Sequence, residues 1–195
     1  MSGPRREAKG AAPREAAKTP ARDADDAALR GTEDAAPREA SSKILPREEL
    51  ARRLAGAANV ALCNGLFDVV HVGHARYLAD AKRRAGTLVV ALNDDASAAA
   101  NKGPSRPLVP LAERLEVVAS FRAVDYVTWF PERTVAATLE LLRPRWHAKG
   151  TDYRPETLPA EERALHARLG VEPLIVGDEK THATTDIVAA VLSRG

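Results

Sequence analysis

Residues Asn64–Leu78 read NGLFDVVHVGHARYL, and this stretch stands between a short apolar run, Val60–Cys63, and a helical pattern that stops at Gly86. An apolar run of this length predicts a buried strand, and the pattern that follows predicts a helix. A buried strand has no need of histidines, yet His71 and His74 stand at the junction. The stretch therefore predicts a strand end, a loop and a helix N-terminus that carries two imidazoles.

The rest of the chain repeats this alternation of apolar runs and helical patterns. The predicted strands are Val60–Cys63, Leu88–Leu92, Tyr126–Phe130, Arg145–Ala148 and Pro173–Val176. The predicted helices are a short one from Leu45, then Gly73–Ala85, Leu111–Phe121, Arg133–Leu142, Ala160–Leu169 and Thr185–Leu192. The alternation predicts an α/β fold, a Rossmann-like doubly wound five-stranded parallel sheet with helices on both faces. Ligands of such sheets bind beyond the carboxyl ends of the strands.

Composition divides the 195 residues into two parts. Residues 1–43 are mostly Ala, Arg, Glu, Asp, Lys and Pro, which cannot bury enough apolar surface to offset the entropy of ordering them. They are predicted to be a disordered tail, and residues 44–195 the folded domain. Basic and acidic residues alternate in the tail and the net charge is only +2, so no nucleic-acid partner is expected.

Other classes of protein are excluded by what the chain lacks. Cys63 is the only cysteine, so a disulfide framework or a cysteine-based zinc site is not expected. Its apolar runs fall short of the roughly 20 residues that span a bilayer, so no membrane partner is expected. The N-terminal residues carry charges where a signal peptide needs an apolar core. A cytoplasmic protein is predicted.

The histidine stretch favours an anion site. Unpaired backbone N–H groups and the positive end of the helix dipole meet at a helix N-terminus. Gly65 and Gly73 would let a phosphate approach the backbone closely. Converging donors suit a phosphorus centre whose oxygens gain charge during reaction. A metal site formed by Asp68, His71 and His74 is the alternative, but no further His or Cys cluster completes a coordination sphere, so no metal ligands are predicted.

The pattern NGLFDVVHVGH resembles the Gly-x-Phe-Asp-x-x-His-x-Gly-His signature of the nucleotidylyltransferase superfamily, in its cytidylyltransferase-like branch. Three further stretches resemble bacterial D-glycero-β-D-manno-heptose 1-phosphate adenylyltransferases: LNDDASAAANKGPSRP, which is followed by a helix containing Arg, RPRWHAKGTDY and ATTDIV. The likeness extends from about Ile44 to Arg194.

The resemblance implies an enzyme that joins a nucleoside monophosphate from ATP to heptose 1-phosphate, giving ADP-heptose for lipopolysaccharide and releasing pyrophosphate. It implies Mg²⁺ held mainly by substrate phosphates and a homodimer, which is usual for such small transferases. In many bacteria the domain is fused to a sugar kinase; the tail of about 43 residues cannot hold one, so a separate kinase is expected to supply the acceptor. One alternative is a CTP-dependent enzyme acting on glycerol 3-phosphate or a similar alcohol phosphate. Another is a catalytically silent nucleotide-binding subunit.

The resemblance also assigns residues. The catalytic set is His71, His74, Lys102 and Lys149, with Lys102 expected in a loop that folds over the histidine edge. The nucleotide-binding set is Gly65, Leu66, Phe67, Asp68, Gly73, Gly150, Asp152, Thr184 and Thr185. Substrate contacts with weaker support are Arg106, Arg133 and Lys180. Thr151 stands where the heptose enzymes carry a second glycine. His147 and His166 are assigned no partner.

Overall fold

The five predicted strands form one parallel sheet in a computed structural model that describes residues 36–153 and 158–178 and the single positions 188, 190 and 193. Their bounds are β1 Val60–Gly65, β2 Thr87–Asn93, β3 Tyr126–Phe130, β4 Trp146–Gly150 and β5 Glu172–Val176. The order across the sheet is β3-β2-β1-β4-β5, and every neighbouring pair is parallel. The predicted doubly wound sheet is confirmed.

The strand order reverses between β1 and β4. The chain first builds outward from β1 to β3, then returns to the other side of β1 to place β4 and β5. Crossovers on the two sides of this point leave a crevice at the carboxyl ends of β1 and β4, where ligands of such sheets bind. The stretch that begins at Asn64 leads from β1 into that crevice.

Helices cover both faces of the sheet, as predicted. Their bounds are α1 Ala36–Lys43, α2 Arg47–Arg53, α3 Val72–Ala85, α4 Asp95–Lys102, α5 Leu111–Ala119, α6 Ala136–Leu142 and α7 Ala160–Leu169. One apolar cluster takes residues from α1, α3 and α5, and the other takes residues from α2, α6 and α7. Within the described residues, no helix combines the length and apolarity needed to cross a membrane.

Alternating side chains of β1 explain why its first four residues, Val60–Cys63, are all apolar. Ala61 and Cys63 enter the cluster that contains Leu78 of α3, and Leu62 enters the opposite cluster with Leu50 of α2. A strand covered on both faces has no polar side, so its sequence reads as a continuous apolar run. Full burial of a leucine contributes about 1.5–3 kcal/mol.

The structure corrects several predicted boundaries. Helix α1 precedes residue 44, and Ala40 within it is buried in the core, so the folded part begins before the predicted boundary. Helix α4 was not predicted; it begins because the Asp94 side chain caps it by accepting the N–H of Ser97 at 2.7 Å. Lys102 is thus in the last turn of a helix, and the prediction of a loop is wrong. Helix α6 begins at Ala136, after the predicted Arg133.

Candidate functional site

Two imidazoles cap the N-terminus of α3. The N-cap residue is His71, whose Nδ1 accepts the N–H of Gly73 at 3.1 Å, while His74 Nδ1 accepts the N–H of His71 at 3.3 Å. This is the reciprocal arrangement of a capping box, built from histidines. Because each Nδ1 accepts, the proton of each neutral ring is on Nε2. Both rings, with centroids 4.1 Å apart, therefore carry an N–H donor on the side away from the capped backbone.

Glycines make room for these rings. A Cβ atom at position 73 would lie 2.8 Å from His71 Cε1 and 2.9 Å from its Nδ1, so the capping ring fills the space that a side chain would need. A Cβ atom at Gly65 would lie 3.3 Å from Phe67 Cε2. Phe67 is buried with a φ of 51°, and its ring centroid lies 5.2 Å from that of His74. The left-handed backbone costs roughly 1–2 kcal/mol and sets the phenyl ring against the histidine.

Asp68 joins the histidine loop to residues 103–110. Its Oδ1 accepts the N–H groups of Leu108 and Val109 at 2.7 and 3.0 Å, and its Oδ2 accepts Arg106 Nη1 at 2.6 Å. Burial raises the pKa of this carboxyl, but the two backbone N–H groups and the guanidinium outweigh it and hold the pKa below its usual value. Asp68 thus anchors the segment over the histidine edge, where it was expected, and Arg106 is engaged in that anchor.

Arg114 was missed as a site residue. It holds the histidine loop and residues 103–110 in place from the core side. Its side chain is fully buried, and its guanidinium donates to four acceptors in three segments of the chain. It donates at 2.6–3.0 Å to Leu66 O, Asn93 O, Val109 O and Asp95 Oδ1. The sequence showed only an arginine within a helix. The position of Arg114 relative to the apolar residues of that helix does not indicate that its side chain is buried.

Lys149 lies within β4 at the other side of the crevice. Its side chain is 9% exposed, and its Nζ is 2.8 Å from Glu162 Oε1 and 5.1 Å from the centroid of the Tyr153 ring. The carbonyl oxygen of Ala148, the preceding residue of β4, accepts a hydrogen bond from the hydroxyl of Tyr77 at 2.9 Å. This bond holds the histidine helix α3 against β4. The lysine is therefore ion-paired beside the crevice in this structure.

A buried polar network continues from Lys149. His147 Nε2 donates to Asn64 Oδ1 at 2.8 Å, and His166 Nε2 lies 2.9 Å from His147 Nδ1. Burial, then the charges of Lys149 and the second ring, hold the pKa of His147 well below its usual 6.5. Burial likewise lowers the pKa of His166, although Glu162 opposes this. Sequence reasoning gave these histidines no partners, because β4 and α7 meet only in the fold.

Two further predicted residues, Arg133 and Lys102, are near the end of α4. Both are exposed, and Arg133 donates at 3.4 Å to Ala100 O and Asn101 Oδ1. Among the described hydrogen bonds and ion pairs, none joins either residue to His71 or His74.

The turn after β4 begins at Gly150, and the hydroxyl of Thr151 donates to Asp178 O at 2.9 Å. This bond ties the turn to the segment after β5, and Asp152 is exposed beside it. The predicted contacts Lys180, Thr184 and Thr185 lie outside the described residues.

A parallel sheet with a histidine-capped helix at its switch point defines a class that the comparisons with known proteins identify. Residues 62–189 match the family described as Cytidylyltransferase-like, and the chain belongs to that family. The resemblance read from the histidine stretch is confirmed.

Among individual relatives, the chain is 43% identical over 143 residues to the bifunctional protein HldE of Halorhodospira halophila, covering 72% of this chain and 29% of that protein. It is 42% identical over 135 residues to the HldE of Chromohalobacter salexigens, covering 69% of this chain and 28% of that protein. The chain thus spans less than a third of the length of these relatives. A lipopolysaccharide core biosynthesis protein from Thermoplasma volcanium shares the fold, with a TM-score of 0.53 and 23% identity over 62% of this chain and 98% of that one.

Proposed function

We propose that the protein is a nucleotidyltransferase that joins a nucleoside monophosphate to a sugar 1-phosphate and releases pyrophosphate. The observation that carries the proposal is the double histidine cap of α3, which aims two Nε2–H donors away from the backbone they cap. Donors fixed before the reaction stabilise charge that develops on phosphate oxygens, because they need no reorganisation during the step.

The chemistry is an in-line displacement. A phosphate oxygen of the acceptor attacks the α-phosphorus of the nucleoside triphosphate, and the bond to the bridging oxygen of pyrophosphate breaks. His71 and His74 donate to the oxygens that gain charge. Lys149 exchanges Glu162 for a phosphate oxygen, and Lys102 with the Thr184–Thr185 pair contacts the departing phosphates.

Mg²⁺ would neutralise the phosphates when it is bound. Asp68, the carboxylate in the histidine loop, already accepts bonds from Arg106 and from the N–H groups of Leu108 and Val109. The loop therefore fits an ion that keeps mainly phosphate and water ligands, as Mg²⁺ commonly does. The protein groups that act at this edge are donors.

ATP and D-glycero-β-D-manno-heptose 1-phosphate are the proposed substrates, and ADP-heptose the product. Support comes from relatives named HldE and from the three stretches that resemble heptose 1-phosphate adenylyltransferases. A sugar kinase would supply the acceptor, and such phosphorylated substrates favour the cytoplasm. The second candidate is CTP with glycerol 3-phosphate or a similar alcohol phosphate, which the description of the matching family favours.

The test is pyrophosphate release by the full chain with ATP or CTP, each against heptose 1-phosphate and glycerol 3-phosphate. Release with ATP and heptose 1-phosphate is expected. The His74→Ala protein, prepared identically, reports any contaminating activity. Release with CTP alone would select the second candidate. Nucleotide binding without release from any pair would identify a silent binding subunit.

A further inference from the structure

A second histidine pair lies between β4 and α7, and the proposed function gives it no role. It consists of His147 on the strand and His166 on the helix, with Glu162 one turn before His166. We propose that these three side chains form a binding site for a divalent transition-metal ion, with Zn²⁺ as the preferred occupant. The inference does not depend on the proposed function, since binding is measured without substrate.

The separations of the three ligand atoms fit a single ion. His147 Nδ1 is 2.9 Å from His166 Nε2 and 3.5 Å from Glu162 Oε1, and the last two atoms are 3.8 Å apart. The point equidistant from the corners of that triangle lies about 2.0 Å from each of them, which matches the bonds of Zn²⁺ to imidazole nitrogen and carboxylate oxygen. Imidazole nitrogens favour Zn²⁺ over Mg²⁺, which prefers oxygen ligands.

The imidazole of His147 is already oriented as a ligand. The amide oxygen of Asn64 can only accept, so His147 Nε2 carries the proton and its Nδ1 presents a lone pair to the other two residues. Metal-binding histidines commonly donate their second nitrogen to an oxygen in this way, which fixes the tautomer and the ring. Asn64 would be that outer partner.

Glu162 Oε1 supplies the negative charge. It is buried, and among the described residues no donor meets it with hydrogen-bond geometry. Lys149 Nζ stands 2.8 Å away as an ion pair, off the line that a hydrogen bond requires. An unsatisfied carboxylate oxygen inside a protein is costly, and a cation bonded to it removes that cost.

Binding exchanges partners without redox change. The ion takes the place of the proton between the two rings, and that proton moves to His166 Nδ1. Coordination bonds form from His147 Nδ1, His166 Nε2 and Glu162 Oε1. The ammonium of Lys149 leaves Glu162 and remains with the Tyr153 ring, 5.1 Å from it in the structure. The ion and the ammonium of Lys149 therefore compete for Glu162.

The experiment titrates the metal-free full chain with Zn²⁺ by calorimetry and with Co²⁺ by visible absorption. One ion per chain is expected, with the intense d–d bands of four-coordinate Co²⁺. Glu162→Gln and His166→Gln should each weaken binding at least tenfold, the lower end of the scale for losing even an outer partner of a ligand. Thermal unfolding of each variant checks that it folds. Zn²⁺ should raise the midpoint temperature of thermal unfolding of the wild-type protein and leave that of Glu162→Gln unchanged.

Two more variants sharpen the result. Lys149→Met removes the competing ammonium and should tighten Zn²⁺ binding at least about tenfold, since a unit charge a few ångströms away opposes the ion. His74→Gln should bind the metal like the wild type. Binding lost in His74→Gln would place the ion at the α3 cap, and binding unchanged in Glu162→Gln and His166→Gln, or absent from the wild type, would overturn the proposal.

Discussion

The two histidine pairs of this protein have opposite chemistry. His71 and His74 cap a helix with their Nδ1 atoms, so each ring keeps its proton on Nε2 and acts as a donor. His147 and His166 bond to each other, buried between a strand and a helix, and His147 also donates to Asn64. The first pair faces backbone N–H groups, whereas the second faces an amide oxygen and a carboxylate.

The difference teaches that the partner of one ring nitrogen decides what the other nitrogen can do. A backbone N–H fixes a lone pair inward and a proton outward, which suits an anion. An amide oxygen fixes the proton on its own side and leaves the lone pair for a cation. The predictions below test this difference. They concern the histidines that donate, the loop anchored by Asp68 and the buried Arg114.

The largest expected effect is on stability, from Arg114→Met. The guanidinium is fully buried and holds Leu66 and Asn93 in place beneath the histidine loop. Its removal leaves the carbonyls of Leu66, Asn93 and Val109 without this donor, at a cost of about 1–3 kcal/mol for each buried group, and should lower the free energy of unfolding by about 3–5 kcal/mol in all. Urea denaturation measures the free energy of unfolding of each variant. The exposed Arg122→Met is the control, and a similar small loss in both variants would contradict the role of Arg114.

Next in size is His74→Ala. Loss of one fixed Nε2–H donor should reduce kcat about a hundredfold or more, about 2.7 kcal/mol in the barrier, while the protein remains folded. Pyrophosphate release under saturating substrates measures kcat, and circular dichroism monitors the fold. Turnover within a few-fold of the wild type would remove His74 from the catalytic set.

The sheet was predictable because Val60–Cys63 of β1 are buried and the pattern is local. The histidine cap was predictable in position, since Asn64–Leu78 contains the strand end, the loop and the helix start. Helix α4 was not, because its Ala-rich stretch lacks an amphipathic pattern and depends on the Asp94 cap. In the part of α1 whose side chains the structure describes, residues 40–43, Ala40 is the one apolar residue, so the sequence there carries no apolar pattern.

The second histidine pair could not be predicted, for a physical reason. His147 and His166 are 19 residues apart and meet only because α7 packs over β4. The spacing of Glu162 and His166 places them on one helical face, which is a local signal, but their partner on the strand is fixed by topology. The inward guanidinium of Arg114 is set by tertiary contacts in the same way.

A smaller effect concerns acid stability. The folded-state pKa of Asp68 lies below its ordinary 3.8, so the unfolded chain binds the proton more readily. The stabilisation is complete above about pH 3.8 and is lost as the pH falls through the folded-state pKa. Unfolding measured from pH 5 to pH 2 should show a steeper loss for the wild type than for Asp68→Asn. The exposed Glu113→Gln should retain the wild-type slope, and equal slopes in all three proteins would contradict the anchor.

The smallest effect separates the two roles of His71. His71→Ala removes the cap and should lower stability by about 1 kcal/mol, whereas His71→Asn keeps a side-chain oxygen for the N–H of Gly73 and should be nearly as stable as the wild type. Both variants lack the imidazole Nε2–H, so their kcat should fall by a similar factor. Urea denaturation and pyrophosphate release measure the two quantities on the same samples. If the asparagine variant recovered turnover together with stability, His71 would act only as a cap, and the donor role would belong to His74 alone.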